Sequence, residues 1–250
     1  MHYRLLALAC ISVTLHAEVL LSPTESYTQE QARQYCRDAG SSWRMMSIEE
    51  LFSLPSNTPF RDAFSYWSAN QGPSDNTVIG SGSEGDGGII ATLGYSFFPK
   101  ERNITLSPPT KRIAAACINT PLTVRKHDYI LTAEGTKDRR SGLLWHTLDA
   151  TDKRAKYTFD QADEMCENLT LHGRNWRLPT LEELYGIVDY SRFRPTVEMK
   201  YFGPMMHRYY WTSDSLNDAE GYVVGFKLGS VATVSKKEEA YARCVSDSDD

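Results

Sequence analysis

The chain has 250 residues, 41% hydrophobic and 24% charged, the balance of a globular protein rather than of a disordered or fibrous one. That length suits one large domain or two of ordinary size. A formal net charge of -5 argues against a general affinity for nucleic acid, and no nucleic-acid partner is expected.

Residues 1–17, MHYRLLALACISVTLHA, carry Arg4, an apolar run from Leu5 to Leu15 and the small residue Ala17 ahead of Glu18, the layout of a secretory signal cleaved after Ala17. The apolar run of about 11 residues is too short for the roughly 20 that span a bilayer, so the mature chain is expected to have no transmembrane segment. A lipoprotein reading through Cys10 is weakened by the short lead before it. Cleavage removes Arg4 from the 27 basic residues and none of the 32 acidic ones, leaving the mature chain the more acidic. It also removes Cys10, leaving Cys36, Cys117, Cys166 and Cys244, an even set in an oxidising compartment.

Self-similarity sets the boundaries that follow. Cys36–Leu51, CRDAGSSWRMMSIEEL, returns as Cys166–Leu184, CENLTLHGRNWRLPTLEEL. Both run from a helical Cys through Trp-Arg (Trp43-Arg44, Trp176-Arg177) to a Ser or Thr followed by apolar-Glu-Glu-Leu. The chain therefore reads as a tandem repeat, with a first domain over 18–122 and a second over 123–250. Pro121 and a Val-Arg-Lys-His run mark the change.

In the first copy, Glu18–Leu21 reads as a short strand. Thr28-Gln29-Glu30-Gln31 is a capping box opening a helix that carries Ala32 and Cys36 on one face and stops at Gly40. Ser47-Ile48-Glu49-Glu50 is a second capping box, opening a helix that buries Ile48, Leu51 and Phe52. Adjacent helical residues point about 100° apart, so the Glu-Glu pair reads as a cap rather than as paired catalytic carboxylates. Tyr66–Asn70 begins an aromatic strand, Gln71–Gly88 reads as a glycine-rich surface loop, and Ile89–Phe98 and Arg112–Ile118 read as strands joined by a polar connection. In the second copy, Thr158-Phe159-Asp160-Gln161 and Thr180-Leu181-Glu182-Glu183 are the equivalent capping boxes. Tyr209–Thr212 is the aromatic strand, Ser213–Asp218 a turn, Gly221–Leu228 a strand, and Ala240–Val245 carries the last Cys ahead of a frayed acidic tail. Helix, helix, then short strands indicates an α+β fold with helices packed on antiparallel sheet.

Four cysteines allow three pairings. Each copy has an early helical Cys and a late one in a strand-like run, RIAAACI or YARCV, at nearly equal separations, which selects Cys36 with Cys117 and Cys166 with Cys244. Loops of this size should each stabilise by roughly 4 kcal/mol in the chain-entropy model. No spacing resembles a metal site, and His127, His146, His172 and His207 are scattered singly. The basic residues near Lys126, Lys137, Arg139 and Arg140 read as solvated faces.

SGLLW at 141–145, the helical Cys166, WRLPTLEEL at 176–184, YWTS at 210–213 and ARCV at 242–245 resemble the Lcl C-terminal domain family over about residues 123–247. The first copy keeps Cys36, WRMMSIEEL, YWSAN and AACI, but lacks the SGLLW opening and has Met46 where the family has Pro; it reads as a diverged member. The family is similar in pattern to the C-type-lectin-like fold. The resemblance implies two tandem domains, each with two helices on a small antiparallel sheet and one disulfide, in a bacterial protein exported to the periplasm, cell surface or medium.

Lectins of that fold hold calcium with EPN or QPD and WND triplets, where this chain has WSAN and WTSD. Calcium is thus left open without its usual triplets, and no other cofactor or metal is expected. Trp43, Trp67, Trp176 and Trp211 are expected in the cores, with Arg44 and Arg177 paired to a carboxylate or carbonyls. Candidate ligand-binding residues follow the aromatic strands: Asn70 and Asp75 in the first copy, Asp214, Asn217 and Asp218 in the second. Loops on a rigid scaffold commonly carry recognition, although such residues also serve simply as turn-formers. The leading expectation is a secreted or surface-associated, adhesin-like module for an extracellular glycan or protein. The alternative is an assembly component of an envelope appendage such as a pilus, in contact with envelope proteins. A formylglycine-generating-type oxidase would need reactive thiols, whereas all four cysteines are placed as structural pairs, so no catalytic residue or enzyme activity is expected.

Overall fold

The structure is a computed structural model that describes residues 18–55, 58–60, 64–71, 94–122, 127–147 and 154–247. The expected signal, Asp75 with most of its loop, the basic run at 124–126 and the end of the acidic tail lie outside the described residues. The fold is mixed α+β, mostly sheet with few helices. The first half contains β1 (Val19–Leu21), α1 (Gln29–Asp38), β2 (Arg44–Met45), α2 (Ile48–Phe52), β3 (Tyr66–Gln71), β4 (Gly94–Phe98), β5 (Asn103–Ser107) and β6 (Ala114–Ile118). The second contains β7 (Tyr129–Leu131), β8 (Thr136–Asp138), β9 (Leu144–Trp145), α3 (Phe159–Glu167), α4 (Leu181–Gly186), α5 (Met199–Phe202), β10 (Tyr209–Ser215), β11 (Glu220–Gly225), β12 (Ser230–Ser235) and β13 (Val245–Ser246).

The capping boxes start helices where the spacing predicts. Thr28 Oγ1 accepts from Gln31 N at 3.3 Å while Thr28 N donates to Gln31 Oε1 at 3.0 Å, and Ser47 with Glu50 and Thr180 with Glu183 repeat the exchange. In α3 Thr158 N donates to Gln161 Oε1 at 3.0 Å. Each exchange satisfies backbone donors that a helix start leaves without intrahelical partners.

The disulfides join Cys36 to Cys117 and Cys166 to Cys244, across separations of 81 and 78 residues, the pairing the repeat spacing predicts. Each lies in a satellite core with a buried tryptophan, Trp67 in the first half and Trp211 in the second. Trp67 Nε1 donates to Tyr27 O at 2.9 Å and Trp211 Nε1 to Tyr157 O at 2.8 Å. Glycine lets each ring lie on the neighbouring strand: a Cβ at Gly94 would stand 2.8 Å from the Trp67 ring, and one at Gly221 3.0 Å from the Trp211 ring.

The halves do not each keep a sheet of their own. One nine-stranded sheet runs β1-β6-β3-β4-β5-β12-β11-β10, with β2 on β6, and a four-stranded sheet runs β13-β9-β8-β7. The first passes from one half to the other where β5 meets β12 antiparallel, Val231 opposite Ile104. Nor is it wholly antiparallel, since β3 and β6 run parallel. The main core is likewise common to both halves, joining Ile48, Leu51, Phe52 and Tyr66 to Leu181, Leu184, Tyr185 and Val224. β5 and β12, the strands that join the halves, are absent from the sequence reading, as are the short β2 and β8. Asn103–Ser107 (NITLS) alternates but is short and lies in the stretch read as a polar connection, while Ser230–Ser235 (SVATVS) alternates only weakly.

The junction is symmetric in character. Counting from Gly94 and Gly221, Phe97 pairs with Ile104 as Val224 pairs with Val231, so Ile104 and Val231 hold matching positions and face each other. Phe52 and Tyr185, each following the Leu of its Glu-Glu-Leu run, also meet, with ring centroids 4.1 Å apart. Matching surfaces meeting in this way is the arrangement of an isologous two-fold interface.

Candidate functional site

The Trp-Arg and Glu-Glu-Leu stretches build the scaffold. Arg44 Nη1 and Nη2 donate to the two Glu50 carboxylate oxygens at 2.7 and 2.6 Å, with Nε on Thr120 O at 2.8 Å. Arg177 grips Glu183 with two contacts of 2.8 Å. Burial pushes both carboxyls up, but the arginine and the backbone N–H of Ser47 or Thr180 outweigh it and hold each below its usual value. Trp67, Trp176 and Trp211 are buried. Trp43 is only half-buried, packed on the edge of the first disulfide cluster.

The candidate ligand residues that follow the aromatic strands turn inward instead. Asn70 Oδ1 accepts from Ile48 N at 2.8 Å and Asp214 Oδ2 from Leu181 N at 2.5 Å, so both complete the N-termini of α2 and α4. Asn217 Oδ1 accepts from Ala219 N and Glu220 N at 2.8 and 2.9 Å, which closes the β10–β11 turn. Asp218 is an exposed turn residue. Asn70, Asp214 and Asn217 thus serve helix starts and a turn, whatever else they contact. Among the described residues no group of three or more His, Cys, Asp or Glu could hold a metal.

Two concavities span both halves. One, of about 460 Å³, lies beside Ser47, Glu49 and Asn70 of the first half and Val188–Ser191 of the second. Its polar walls are largely committed: Asp189 accepts from Ser191 N at 2.9 Å and Arg192 Nε at 2.8 Å. Burial raises the Asp189 carboxyl, but the Ser191 and Arg192 hydrogen bonds outweigh it and keep it ionised below its usual range.

The second concavity, a groove of about 390 Å³, follows the β5–β12 junction. Its floor comes from both halves, with half-buried Leu106 over the buried Ile104, Leu228 and Val231. Its rim comes from the second half alone: His207, Arg208, Tyr209 and Lys227. Gly225 shapes it, because a Cβ there would stand 2.8 Å from the Tyr209 ring; without one, the ring lies across β11 and stays 45% exposed. Neither Arg208 nor Lys227 forms an ion pair among the described residues, and no carboxylate is among the lining residues. Burial and then the positive field of Arg208, Lys227 and Arg194 lower the His207 pKa. An acidic chain thus concentrates unneutralised positive charge beside an exposed aromatic ring and an apolar floor, which suits a ligand with anionic groups next to a flat or apolar face. Sequence reasoning missed this site; its available signal was the His207-Arg208 pair just ahead of the aromatic strand and Lys227 at the following hairpin.

Comparison with protein families places the Lcl C-terminal domain model on residues 134–246, in one copy. The match runs from the strand pair β8–β9 to β13 and takes in the second disulfide, the Arg177–Glu183 pair and the groove's cationic rim. The Ile104 and Leu106 part of the floor lies outside it. No curated protein matches the chain.

Proposed function

We propose that the protein is an exported bacterial binding module, adhesin-like, that takes an extracellular glycan or protein surface bearing negative charge across the groove at the β5–β12 junction. In this reading the two halves are tandem copies of one Lcl C-terminal-like module with a C-type-lectin-like fold, the first diverged. The observation that carries it is the groove itself, with Arg208, Lys227 and His207 around an exposed Tyr209 over an apolar floor. Export is supported by two buried disulfides, bonds that persist in oxidising compartments. The oxidase alternative draws no support from the cysteines, since Cys36, Cys117, Cys166 and Cys244 are all bonded.

The test is a binding panel of neutral glycans, anionic glycans and matrix proteins, with and without calcium, using the whole mature chain. Acidic ligands should bind, with affinity falling as salt rises. Arg208→Ala combined with Lys227→Ala should weaken binding about 10-fold or more, since truncating a charge at a desolvated contact commonly costs 2 kcal/mol or more. Absence of binding to every member of the panel refutes the reading.

The appendage-assembly reading rests on a different surface. β7 is the outer strand of the four-stranded sheet, and its Ile130 and Leu131 are 40% and 59% exposed. An open apolar edge of this kind is a template for a strand from another chain. Replacing Leu131 with Lys should abolish recovery of any such partner by cross-linking while leaving ligand binding intact.

A further inference from the structure

The β4–β5 hairpin carries an arginine where the β11–β12 hairpin carries none. Phe97 pairs with Ile104 as Val224 pairs with Val231, so Arg102 and Gly229, two residues ahead of Ile104 and Val231, hold the same place in their hairpins. Both have left-handed backbones, with φ of 50° and 73°. Arg102 bridges the halves. Its Nη1 meets Glu182 Oε1 at 2.7 Å, its Nη2 donates to Phe52 O at 3.2 Å, and its guanidinium carbon stands 4.4 Å from the centroid of the Phe52 ring. A carboxylate at a helix start and an aromatic ring thus hold one planar cation between them.

The matching carboxylate of the first half has no such partner. Glu49 follows the first residue of α2 as Glu182 follows the first of α4. Gly229 has no side chain to reach it, and Tyr190 fills the place a stem would take: a Cβ at Gly229 would stand 2.7 Å from the Tyr190 ring, whose hydroxyl donates to Gly229 O at 2.7 Å. Glu49 is half-buried and forms no ion pair among the described residues. Its carboxylate is approached by Asn70 Nδ2 only at 3.5 Å, beyond the range of a strong hydrogen bond.

In front of Glu49 opens the concavity of about 460 Å³, walled by Val188 and Tyr190 and edged by Leu122, which is 54% exposed. That volume is in the range of ligand pockets, roughly 300–1,000 Å³. Asp189 adds a second negative charge, already held by Ser191 and Arg192, and no arginine or lysine is among the described lining residues. The carboxylate and ring that close on Arg102 at one end of the junction therefore recur at the other with the cation's place open to an outside group.

We propose that this concavity is a second binding site, for the guanidinium group of an arginine side chain on a partner protein. Glu49 takes the charge, the Tyr190 ring takes the flat face, and Val188 with Leu122 takes the alkyl stem. The site is separate from the cationic groove, prefers the opposite charge and does not rest on what the groove binds.

The test titrates the whole mature chain with N-acetyl-L-arginine amide, which stands for an arginine within a chain, and follows amide NMR shifts. Shifts should centre on Glu49, Tyr190 and Ser191. The citrulline counterpart, of the same shape without the charge, should bind at least 10-fold more weakly, and the lysine counterpart several-fold more weakly. Glu49→Gln should weaken arginine binding at least 10-fold, whereas Glu182→Gln and the paired Arg208→Ala, Lys227→Ala changes should leave it as in the wild type. The citrulline and lysine comparisons use the unaltered chain, so they decide the matter even if Glu49→Gln does not fold. Unmoved amides around the concavity, equal binding of arginine to either counterpart, or a folded Glu49→Gln chain that binds as the wild type does, overturns the proposal.

Discussion

Truncating Phe52 to Ala strikes the junction between the halves. The ring is 3% exposed and lies 4.1 Å from the Tyr185 centroid and 6.3 Å from that of Phe97, with the Arg102 guanidinium carbon 4.4 Å above it. Removing a core phenylalanine costs about 3–5 kcal/mol, and aromatic pairs of this kind contribute about 0.5–1.5 kcal/mol beyond the area they bury. A loss near 4 kcal/mol in a chain of this size lowers Tm by roughly 8–16 °C. The distribution of the loss is the sharper readout. Phe52 belongs to the first half, yet its core continues into Leu184, Tyr185 and Val224, so both halves should lose stability together. Amide hydrogen exchange reads them separately, at β3 for the first half and β11 for the second. Protection should fall by the same free energy in both. If β3 loses protection while β11 keeps its wild-type value, the halves are independent domains and the shared-core reasoning fails.

Asp214→Ala should cost about 0.5–2 kcal/mol, the range for a lost helix-start acceptor, and leave ligand affinity unchanged; urea titration and the binding panel separate the two effects, and a collapse of binding without loss of stability would restore Asp214 as a ligand residue. Acid should destabilise the fold through Glu50 and Glu183. Their folded pKa values lie below the ordinary glutamate value, so the stability they contribute is present above that value and is lost as pH falls through the lower folded pKa. Urea midpoints followed from about pH 6 to about pH 3 should therefore drop, and the double variant Glu50→Gln, Glu183→Gln should flatten that slope.

What could be read from the chain was local or repeated. The four capping boxes lie within four-residue windows, so their partners sit side by side in the sequence. The disulfide pairing followed because the same spacing occurs twice. The contacts that decide the architecture are neither. Ile104 meets Val231 from two short strands, and nothing in either segment names the other. The helix-start role of Asn70 and Asp214 was hidden for a related reason: a polar residue after an aromatic strand looks like a loop tip, whereas its partner is a backbone N–H 22 or 33 residues earlier. Arg208 and Lys227 are separated along the chain and come together only through the β10–β11 hairpin.

The meeting of β5 with β12 joins the two halves in one sheet, and if the halves are tandem copies, as proposed, the molecule has the build of a symmetric dimer whose subunits are tied into one chain. Cut apart, either half would carry a bare strand edge, and the second half would be expected to present β12 to another copy of itself. The tether replaces concentration as the force that keeps the partners together. It also releases them from having to match. In a dimer of identical subunits every cation on one bank of the central groove would recur on the other, and a ligand could lie in either direction. Here His207, Arg208 and Lys227 come from the second half alone, so the groove has a direction, and a ligand of the proposed kind would be read from one end.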